Sequence, residues 1–498
     1  MDQTQRAATL ASLASFSGDL FEAVSGTGDT VVRGLSYDSR SVARGDLFFC
    51  VPGATTDGHR FASAAVEAGA VALCVQRAQP LEVPQLVVTD VRRAMGRIAA
   101  GFFGSPAERL TVLGVTGTNG KTTTAFLLES ILRAAGHKTG LIGTIETRVG
   151  GRVKAGVRTT PESLDLQRLF ADMVAEGVTH VAMEVTSHAL VLHRVEGVVF
   201  AAAGFTNLSQ DHLDFHAHME DYFQAKRSLF VPERTERGAV NVDDDHGRRL
   251  ADAAEIPTIG FGLSADAEVR ADDVEFRPAG SRFKVHTPAG AIHVETSFIG
   301  GFNVSNCLAA TAVALQAGIG LEAIEEGLRS LSAVPGRFEP VAAGQPFSVV
   351  VDYAHTPDSL DNVLRAARGV TRDGRVICVF GCGGDRDRGK RPLMGAVAAQ
   401  LADVVMVTSD NPRSEDPYAI IDEIVEGVIA HAPQGPDLVT SDRVEAIEAS
   451  LKAARPGDVV LIAGKGHETG QQFADHTIPF DDREVARSAL AGLGWASR

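Results

Sequence analysis

Long apolar runs and an excess of basic residues are both missing from this sequence. No window approaches the roughly 18 apolar residues that a membrane span needs, so we expect no span. The formal net charge of −16 argues against a general nucleic-acid-binding protein. The N-terminal stretch MDQTQRAATLASLASFSGDLF has neither the basic region nor the apolar run of a secretory signal. We therefore expect a cytoplasmic protein that binds no nucleic acid.

Cysteine is scarce, and its spacing excludes the commonest cysteine-based sites. The five cysteines are Cys50, Cys74, Cys307, Cys378 and Cys382. The last two lie four positions apart, which is not the CxxC spacing of a zinc or redox pair. Buried thiols in a reducing cytosol are the better interpretation. Internal repeats and low-complexity tracts are also lacking.

Short strands alternate with helices along the 498 residues, which predicts an α/β fold with mostly parallel sheets. Two Pro- or Gly-containing stretches, SPAERL and SAVPGRFEPV, are typical of linkers. They predict three domains, at 1–107, 108–333 and 334–498. Residues 255–300 alternate polar and apolar side chains more regularly and indicate an antiparallel insert or edge.

The third domain alternates buried strands with helices and is predicted to be a doubly wound sheet. Sites in such sheets lie at the carboxyl ends of the strands. Four loops at these ends carry unusual polar residues: 352–357, 381–391, 408–413 and 464–468.

The stretch GTNGKTT at 117–123 follows a predicted strand and opens a predicted helix, which is the context of a phosphate-binding loop. Gly117 and Gly120 let backbone N–H groups approach phosphates, and the helix N-terminus favours their charge. Lys121 can reach the β- and γ-phosphates, and the Thr122 hydroxyl can bind Mg²⁺. The strict pattern has a glycine where Val115 stands, so the loop is a variant.

Three residues near strand ends of the second domain form a candidate metal site. Glu184 ends a strand, His212 follows the next strand, and Lys226 lies on a helix. Carboxylate oxygen suits Mg²⁺, although imidazole is a less usual ligand. A solvated, His-rich turn in DHLDFHAH is the alternative, and a zinc site from His212 and His216 is another. Spacing alone assigns Lys226 only as a solvated side chain.

Eleven motifs occur together in an order that resembles the Mur ligases. They are GVTGTNGKTTT, TTPE, MEVTSHAL, FTNLSQDHLDFH, YFQAKRSLF, FNVSN, VPGRFE, VDYAHTPDSL, GCGGDRDRGKRPLM, DNPR and AGKGHE. The resemblance covers nearly the whole chain. It implies a UDP-substrate domain, a central ATPase domain with a P-loop-type parallel sheet, and a C-terminal Rossmann-like domain that binds an amino acid.

The resemblance also implies a reaction. ATP would phosphorylate the terminal carboxylate of UDP-MurNAc-L-Ala-D-Glu, and the amine of meso-diaminopimelate would attack the acyl phosphate. Mg²⁺ is the implied cofactor. Lys226 matches a lysine that is carbamylated by CO₂ in the family, which converts an ammonium into an anion able to bind Mg²⁺. We expect a monomer.

Site residues carry over from the family motif by motif. The implied catalytic residues are Lys121, Glu184, His212 and Lys226, and the implied metal ligands are Thr122, Glu184, His212 and carbamylated Lys226. The implied ATP contacts are Gly117, Thr118, Asn119, Gly120, Lys121, Thr122, Thr123, Asn303, Arg337 and Asp352.

The implied contacts to the UDP-linked peptide are Ser39, Ala54, Thr55, Thr56, Thr159, Thr160, Thr186 and Arg194. Thr186 stands where serine is usual and keeps the hydroxyl. Leu192 stands where a glutamine can occur, which removes a polar group. Outside the family comparison, each isolated Ser or Thr would be interpreted as an ordinary turn or cap residue.

The loop VTSDNPRSEDP contains the residue most suited to diaminopimelate, whose far end carries a carboxylate that lysine lacks. A guanidinium grips a carboxylate bidentately, and Arg413 is the predicted one. Arg386 is the candidate for the other carboxylate, with Arg388 and Arg391 as alternatives. The remaining implied contacts are Asp410, Asn411, Pro412, Gly464 and Glu468.

Three alternatives stay open at this point. The same reaction could use L-lysine or another diamino acid. A ligase that adds D-Ala-D-Ala, or glutamates to folate, is disfavoured by the DNPR and AGKGHE loops. A nucleotide-binding regulator without catalysis is disfavoured by the presence of Lys121, Glu184, His212 and Lys226.

Overall fold

The computed structural model describes residues 7–53, 56–277, 279–371 and 373–495. Ala54 and Thr55, both predicted to contact the UDP-linked peptide, lie outside the described residues.

The strands of the described chain are β1 Ala8–Thr9, β2 Phe21–Ser25, β3 Val31–Val32, β4 Gly34–Ser36, β5 Asp46–Phe49, β6 Ala72–Val75, β7 Gln85–Val88, β8 Thr111–Thr116, β9 Thr139–Ile142, β10 Glu146–Val149, β11 Arg152–Ala155, β12 His180–Glu184, β13 Ala202–Phe205, β14 Gly238–Asn241, β15 Thr258–Gly262, β16 Val269–Arg277, β17 Gly280–Thr287, β18 Gly290–Thr296, β19 Glu339–Pro340, β20 Ser348–Asp352, β21 Val376–Phe380, β22 Val404–Val407, β23 Leu438–Val439, β24 Val459–Ala463, β25 Gly470–Gln472 and β26 Thr477–Pro479.

The α-helices of the described chain are α1 Leu10–Ser15, α2 Ala62–Ala68, α3 Val91–Phe103, α4 Lys121–Ala134, α5 Ser163–Ala175, α6 Ser187–Val191, α7 Met219–Arg227, α8 Asp245–Ala253, α9 Gly301–Gln316, α10 Leu321–Ser330, α11 Pro357–Val370, α12 Lys390–Leu401, α13 Pro417–His431, α14 Arg443–Ala453 and α15 Asp482–Gly492. In the part of the chain that the structure describes, no helix combines the length and apolar character that crossing a membrane requires.

Two compact units make up the chain, and the backbone passes between them several times. The first unit takes residues up to Gly114, then 137–203 and 228–237. The second takes 115–136, 204–227 and everything from Gly238 onward. This division does not test the three predicted domains, whose boundaries stay a prediction.

The first unit contains a five-stranded sheet in the order β2-β7-β6-β5-β4, with all pairs parallel except β2 with β7. Helix α3 packs on it through apolar residues that recur every three or four positions, including Val91, Met95 and Ile98. The Asp90 side chain caps its N-terminus, and Gly104 ends it in a left-handed conformation.

A second group of strands in the first unit runs in the order β11-β10-β9-β12-β8. Strand β12 pairs in parallel with β9, whereas β10 and β11 form an antiparallel hairpin beside it. The parallel strands are fully buried and bring Glu184 to the carboxyl end of β12.

In the second unit, β14 and β15 pair in parallel and lead into β16, β17 and β18. These last three strands form an antiparallel meander. They correspond to the alternating residues 255–300, so the sequence prediction of an antiparallel edge is confirmed.

The rest of the second unit is built on a six-stranded sheet in the order β19-β20-β24-β21-β22-β23. Only the edge strand β19 is antiparallel. Apolar clusters cover both faces, one against α11, α12 and α13 and the other against α14 and α15. The predicted α/β class with doubly wound parallel sheets is thereby confirmed. The loops after β20, β21, β22 and β24 meet at one edge of this sheet, as parallel strands require.

Candidate active site

The predicted phosphate loop, residues 117–120, follows β8 and leads into α4. Gly117 has φ 148° and Gly120 has φ 85°, both in the left-handed region. A Cβ on Gly117 would lie 1.9 Å from Oγ1 of Thr206, and one on Gly120 would lie 2.3 Å from Oδ1 of Asn306. Only glycine fits at both positions, because the loop backbone passes so close to polar side chains.

Lys121 and Thr122 lie in the first turn of α4, followed by the buried Thr123. Nζ of Lys121 donates to the carbonyl oxygens of Gly117 and Thr118, at 2.9 and 2.7 Å. The ammonium is therefore held over the loop, at the place where phosphate charge would collect above a helix N-terminus.

Arg337 connects the second predicted linker to this helix. Its Nη2 donates to Oγ1 of Thr122 at 3.1 Å, and its guanidinium lies over the ring of Tyr353, 4.5 Å from the centroid. Asp352 accepts hydrogen bonds from the backbone N–H groups of Phe338 and Ala354, at 2.6 and 2.7 Å. Burial raises the pKa of Asp352 to about 6, although Arg337 acts in the opposite direction. One carboxylate oxygen therefore holds the backbone next to Arg337, and the other holds the start of the loop after β20.

Asn119 extends the phosphate loop toward the start of α11. Its Nδ2 donates to Oδ2 of Asp358 at 2.7 Å, and the Ser209 hydroxyl donates to the same oxygen at 3.3 Å. Burial raises the pKa of Asp358. Sequence reasoning did not select Asp358, because one acidic residue in the first turn of a helix is a common feature of helices.

Asn303, predicted to lie near the adenine, is in the first turn of α9. Its Nδ2 donates to the carbonyl oxygen of Ile299 at 2.9 Å, and its Oδ1 accepts from Nδ2 of Asn306 at 3.1 Å. Asn306 is the residue that a Cβ on Gly120 would meet, so Asn303 is joined to the phosphate loop through one side chain.

Lys226 is buried, with only 1% of the residue exposed, which overturns its interpretation as a solvated side chain. Its Nζ donates to the carbonyl oxygen of Gly117 at 2.7 Å and lies 4.4 Å from the centre of the Tyr222 ring. Burial lowers the pKa of Lys226 well below its usual value, and the charge of Lys121 acts in the same direction. Burial beside the phosphate loop thus favours the neutral form of this amine.

His212 adopts a left-handed backbone conformation, with φ 56°. Its backbone N–H donates to Oδ1 of Asp211 at 2.9 Å, and its ring Nε2 lies 3.4 Å from Oδ2 of the same carboxylate. Burial opposes ionisation of Asp211, but the charges of His212, His355 and Lys390 lower its pKa. His212 and Lys226 both contact the Tyr222 ring, at 6.1 Å between ring centroids for the histidine.

Metal binding was predicted for Thr122, His212 and Lys226 in the second unit and for Glu184 in the first. Within the described residues, no group of three or more His, Cys, Asp or Glu side chains is placed to hold a metal ion. An amine is a poor ligand for Mg²⁺, which prefers oxygen. The donor set fits Mg²⁺ if Lys226 supplies carboxylate-like oxygens.

Glu184 is buried at the end of β12 in the first unit. Its Oε1 accepts from the backbone N–H of Thr144 at 2.7 Å, and its Oε2 accepts from the Thr144 hydroxyl at 3.1 Å. The Thr159 hydroxyl lies 3.0 Å from that of Thr144, and Thr160 donates to the carbonyl oxygen of Glu184 at 2.9 Å. The backbone N–H of Thr186 donates to the Thr160 hydroxyl at 3.2 Å. The structure therefore places three residues that were predicted to contact the UDP-linked peptide, Thr159, Thr160 and Thr186, beside Glu184, which was predicted to bind the metal.

Arg194 joins the same group through Thr160, whose carbonyl oxygen accepts from its Nη1 at 3.3 Å. Its Nη2 pairs with Oε1 of the buried Glu162 at 3.0 Å. Arg158 and Arg92 pair with the same carboxylate, at 2.9 and 3.4 Å. Three guanidiniums around one carboxylate leave a local excess of positive charge, which suits an anionic substrate. Sequence reasoning missed Arg92 because it lies 70 positions from Glu162, and it missed Arg158 because an arginine four positions from a glutamate has the spacing of an ordinary surface ion pair.

Ser39, Thr56 and Leu192 are the remaining predicted residues of the first unit that are described. Ser39 is half-buried in the turn after β4, and Thr56 is exposed. Leu192 follows the last residue of α6, and its side chain has no polar atom to offer there. Thr186 caps the other end of α6, because its hydroxyl accepts from the backbone N–H of Ala189 at 3.1 Å.

The three arginines of the loop after β21 have different surroundings. Arg391 is completely buried and pairs with Glu415 at 2.8 Å and Glu423 at 2.9 Å, and Arg388 also pairs with Glu423. Arg386 is exposed, donates to the carbonyl oxygen of the residue before it, and forms no ion pair within the described chain. Arg386 is therefore the best placed of the three to bind a substrate carboxylate.

Arg413 has φ 52°, an uncommon conformation for a residue with a side chain. Its Nη1 donates to the carbonyl oxygen of Gly384 at 2.6 Å and its Nε to Oε1 of Gln472 at 3.3 Å. A Cβ on Gly383 would lie 2.9 Å from Nη1, so the glycines of GCGGD make room for the guanidinium. Both acceptors are neutral, so neither of them balances the positive charge of Arg413.

Pro412 and Gly464 lie at the same edge of the six-stranded sheet. Pro412 is buried, and its carbonyl oxygen would lie 1.9 Å from a Cβ on Gly384. The backbone N–H of Gly464 donates to the carbonyl oxygen of Asp352 at 3.0 Å. The first contact brings the loops after β21 and β22 together, and the second joins the residue after β24 to the end of β20.

Asp410, Asn411 and Glu468 meet around a residue that sequence reasoning did not select, Lys465. Its Nζ lies 3.4 Å from Oδ1 of Asp410, 2.9 Å from Oδ1 of Asn411 and 2.8 Å from Oε2 of Glu468. Lys465 belongs to the AGKGHE motif, which marks the segment as part of a site. Its spacing, however, does not distinguish a buried lysine side chain from a solvated one.

A second missed residue is Arg443, the first residue of α14. It is 1% exposed and forms an ion pair with the completely buried Asp482, at 2.7 Å. Its guanidinium also donates to the carbonyl oxygens of Ser409 and Ala463, at 3.3 and 2.9 Å. These carbonyls immediately precede the DNPR and GKGHE loops. No sequence pattern reveals such a contact, because its partners lie 20 to 39 positions away.

Comparison with known proteins matches three family descriptions to consecutive parts of the chain. They are "Mur ligase family, catalytic domain" over residues 31–103, "Mur ligase middle domain" over 115–314 and "Mur ligase, glutamate ligase domain" over 336–466.

Whole-chain relatives agree with this result. A protein of Geobacillus thermodenitrificans named UDP-N-acetylmuramoyl-L-alanyl-D-glutamate--2,6-diaminopimelate ligase is 50% identical over 470 residues, which cover 93% of this chain and 96% of that one. A protein of Solibacter usitatus with the same name is 50% identical over 477 residues, covering 94% and 95%.

Solved structures give the same fold. A structure titled with the same ligase name is 32% identical, with a TM-score of 0.70 over 98% of this chain and 99% of that one. A structure titled UDP-N-acetylmuramoylalanyl-D-glutamyl-2,6-diaminopimelate--D-alanyl-D-alanyl ligase, from Acinetobacter baumannii, shares the fold at 23% identity, with a TM-score of 0.64 over 94% and 97% of the two chains. The resemblance given by the sequence motifs is confirmed, and the chain belongs to the Mur ligase family.

Proposed function

We propose that this protein is the ATP-dependent ligase that adds meso-diaminopimelate to UDP-N-acetylmuramoyl-L-alanyl-D-glutamate, in the synthesis of the peptidoglycan precursor. Relatives that carry this name are about half identical to it over nearly the whole chain. The proposed setting is the cytoplasm, and the protein is proposed to act as a monomer.

The observation that carries the choice of amino acid is the pair of arginines at the loop edge of the six-stranded sheet. Arg413 is held by two neutral carbonyl groups, and Arg386 donates only to a backbone carbonyl. Two guanidiniums in this state suit a substrate with two carboxylates. Meso-diaminopimelate has two carboxylates, whereas L-lysine has one.

The chemical difficulty of the first step is that a carboxylate must approach the γ-phosphate of ATP. At 4 Å and an effective dielectric constant of 20, each pair of like charges repels by about 4 kcal/mol. Lys121, held over the phosphate loop, and Arg337, held against Thr122, supply positive charge at that place. The same charges stabilise the transferring phosphoryl group.

The second step forms the amide. The amine nitrogen of diaminopimelate attacks the acyl carbon, the tetrahedral intermediate releases inorganic phosphate, and the nitrogen loses a proton. Glu468 is proposed to hold the distal ammonium, while Arg413 and Arg386 hold the carboxylates. The reacting amine is thereby oriented before the attack.

Lys226 is proposed to carry a carbamate. A neutral amine reacts with CO₂, whereas an ammonium does not, and burial lowers the pKa of Lys226 and so favours its neutral form. The product is an anion with two oxygens. Together with Thr122 and His212 of the same unit, it would hold Mg²⁺. Bound there, Mg²⁺ neutralises phosphate charge.

The test is the release of phosphate from ATP in mixtures from which one component is omitted. We expect release only when the UDP-linked dipeptide and meso-diaminopimelate are both present. L-lysine and L-ornithine serve as alternative amino acids. Faster turnover with L-lysine would replace meso-diaminopimelate as the proposed amino acid. Phosphate release that does not depend on any diamino acid would overturn the ligase assignment.

A further inference from the structure

The ammonium of Lys465 lies inside the proposed amino-acid site but is closed to solvent. Its side chain is 0% exposed, and Nζ contacts oxygens of Asp410, Asn411 and Glu468. All three are residues that the sequence assigned to diaminopimelate. The lysine therefore occupies the interior of the group of oxygens that were expected to receive the substrate ammonium.

These contacts fix the orientation of the Asn411 amide. Oδ1 accepts from Lys465 and from the backbone N–H of Gln472, both at 2.9 Å. Nδ2 donates to Oε2 of Glu468 at 2.8 Å. The reversed amide would point its two N–H bonds at an ammonium and a backbone N–H, which are also donors.

Glu468 is held in the same way, at one oxygen only. Oε2 accepts from both Lys465 and Asn411, at 2.8 Å each. The Glu468 side chain as a whole is 29% exposed, so it is not closed to a ligand. Oε2 is thus committed to the protein, which leaves Oε1 as the oxygen for an incoming ammonium.

We propose that Lys465 is a positioning residue for the amino-acid substrate, which acts through Asn411 and Glu468 to present Oε1 of Glu468 to the distal ammonium. The inference rests on the proposed function and deepens it. Lys465 does not itself touch the substrate, because its side chain is closed off by its three partners.

The charge of Lys465 also matters for the neighbouring acids. Asp410 is 9% exposed at its side chain and lies 3.4 Å from the ammonium. The buried ammonium offsets the repulsion between these two carboxylates, and the Arg443 guanidinium interacts with both as well. Without Lys465, Oε2 of Glu468 loses one of its two donors, so the carboxylate can turn toward solvent and the oriented acceptor is lost.

The first experiment measures KM for meso-diaminopimelate and for ATP in the Lys465→Met variant. We expect the KM for diaminopimelate to rise by about tenfold or more, while the KM for ATP changes by less than about twofold. Lys452→Met is the matched control, since Lys452 lies on α14 of the same unit, is 60% exposed and pairs only with Glu448. An equal rise in both KM values would mean that the lysine merely supports the fold.

A double-mutant cycle tests whether Lys465 acts through Glu468. We expect Glu468→Gln alone to raise the KM for diaminopimelate, and Lys465→Met to add less than about twofold in its presence. Multiplicative effects of the two changes would overturn the proposal. If Lys465→Met does not fold, Lys465→Gln replaces it, and failure of both to fold would also overturn a positioning role.

The wild-type protein separates this inference from the proposed function. Wild type without diaminopimelate-dependent phosphate release would contradict the ligase assignment. An active wild type whose Lys465→Met variant behaves like Lys452→Met would contradict only the role of Lys465.

Discussion

Arg337 donates a hydrogen bond of 3.1 Å from Nη2 to the hydroxyl of Thr122, a residue in the first turn of the helix behind the phosphate loop. Arg337 follows a Pro-Gly pair in the chain. Its guanidinium also lies over the Tyr353 ring, so two contacts hold the cation near the place of phosphate charge.

Replacing Arg337 by alanine is expected to weaken ATP turnover. Removal of a guanidinium that stabilises phosphoryl charge should lower kcat/KM for ATP by about a hundredfold. Arg365→Ala is the control, because Arg365 is 65% exposed and pairs only with Asp361 one helical turn away. Equal effects of the two changes would show that Arg337 has no role at the nucleotide.

Lys226 is expected to need its amine for a reason other than charge. Lys226→Met should lower kcat by about a hundredfold or more, and short carboxylates such as acetate should restore part of the activity. Lys226→Arg should not be active, because a guanidinium does not form the carbamate.

A spectroscopic measurement checks the carbamate without relying on turnover. Protein equilibrated with ¹³C-labelled bicarbonate should give a carbamate ¹³C resonance that the Lys226→Met variant lacks. The Lys452→Met variant should keep the resonance, since Lys452 is an exposed lysine of α14. A resonance that persists in Lys226→Met would assign the modification elsewhere.

The motifs predicted the parts of the site that follow from local sequence. The phosphate loop needs glycines, a lysine and a helix start in one short stretch, and the structure has each of them in place. The doubly wound sheet followed from alternating buried strands and helices. Parallel strands then fixed which loops would meet.

Long-range side-chain partners could not be predicted in the same way. Lys226 has the sequence surroundings of a solvated residue, but the phosphate loop 109 positions earlier buries it. Arg443 and Asp482 are 39 positions apart, and Arg92 and Glu162 are 70 apart. Such contacts depend on which loops the fold brings together. A single sequence carries no pattern that shows which loops these are.

Arg413 is expected to act on the amino acid and not on ATP. Arg413→Ala should raise the KM for meso-diaminopimelate by about a hundredfold, since a bidentate ion pair is lost, with the KM for ATP nearly unchanged. The variant should also discriminate less between diaminopimelate and L-lysine. Arg388→Ala is a suitable comparison, because Arg388 is engaged by Glu423. Parallel rises in both KM values would mean that Arg413 only maintains its loop.

Arg443 offers a way to separate stability from site geometry. Arg443→Met leaves the buried Asp482 uncompensated and should lower the free energy of unfolding by about 3–5 kcal/mol. The pair Arg443→Met with Asp482→Leu should recover most of that loss. The double variant should not return the KM for diaminopimelate to its wild-type value, because the carbonyl groups of Ser409 and Ala463 still lack their donor.

The control for Arg443 lies at the opposite end of the same sheet. Arg375 pairs with the buried Asp458 at 2.7 Å, before β21 and β24 begin. Arg375→Met should reduce stability without a specific change in the KM for diaminopimelate. Full recovery of that KM in the Arg443 double variant would mean that the guanidinium has no part in holding the two loops.

His467 is expected to make the protein sensitive to acid. Burial lowers the pKa of His467 to about 3, with Arg337 and Arg483 acting in the same direction. In the unfolded chain, the same histidine has a pKa of about 6.5. The neutral ring therefore favours the folded state above pH about 6.5, and this contribution is lost as the pH falls toward about 3. His467→Gln should lose less stability than wild type between pH 7.5 and pH 5, by about 2 kcal/mol. Urea unfolding at both pH values measures the difference, and His476→Gln removes an exposed ring of the same unit as the control. An identical loss of stability in wild type and His467→Gln would show that His467 does not cause the acid sensitivity.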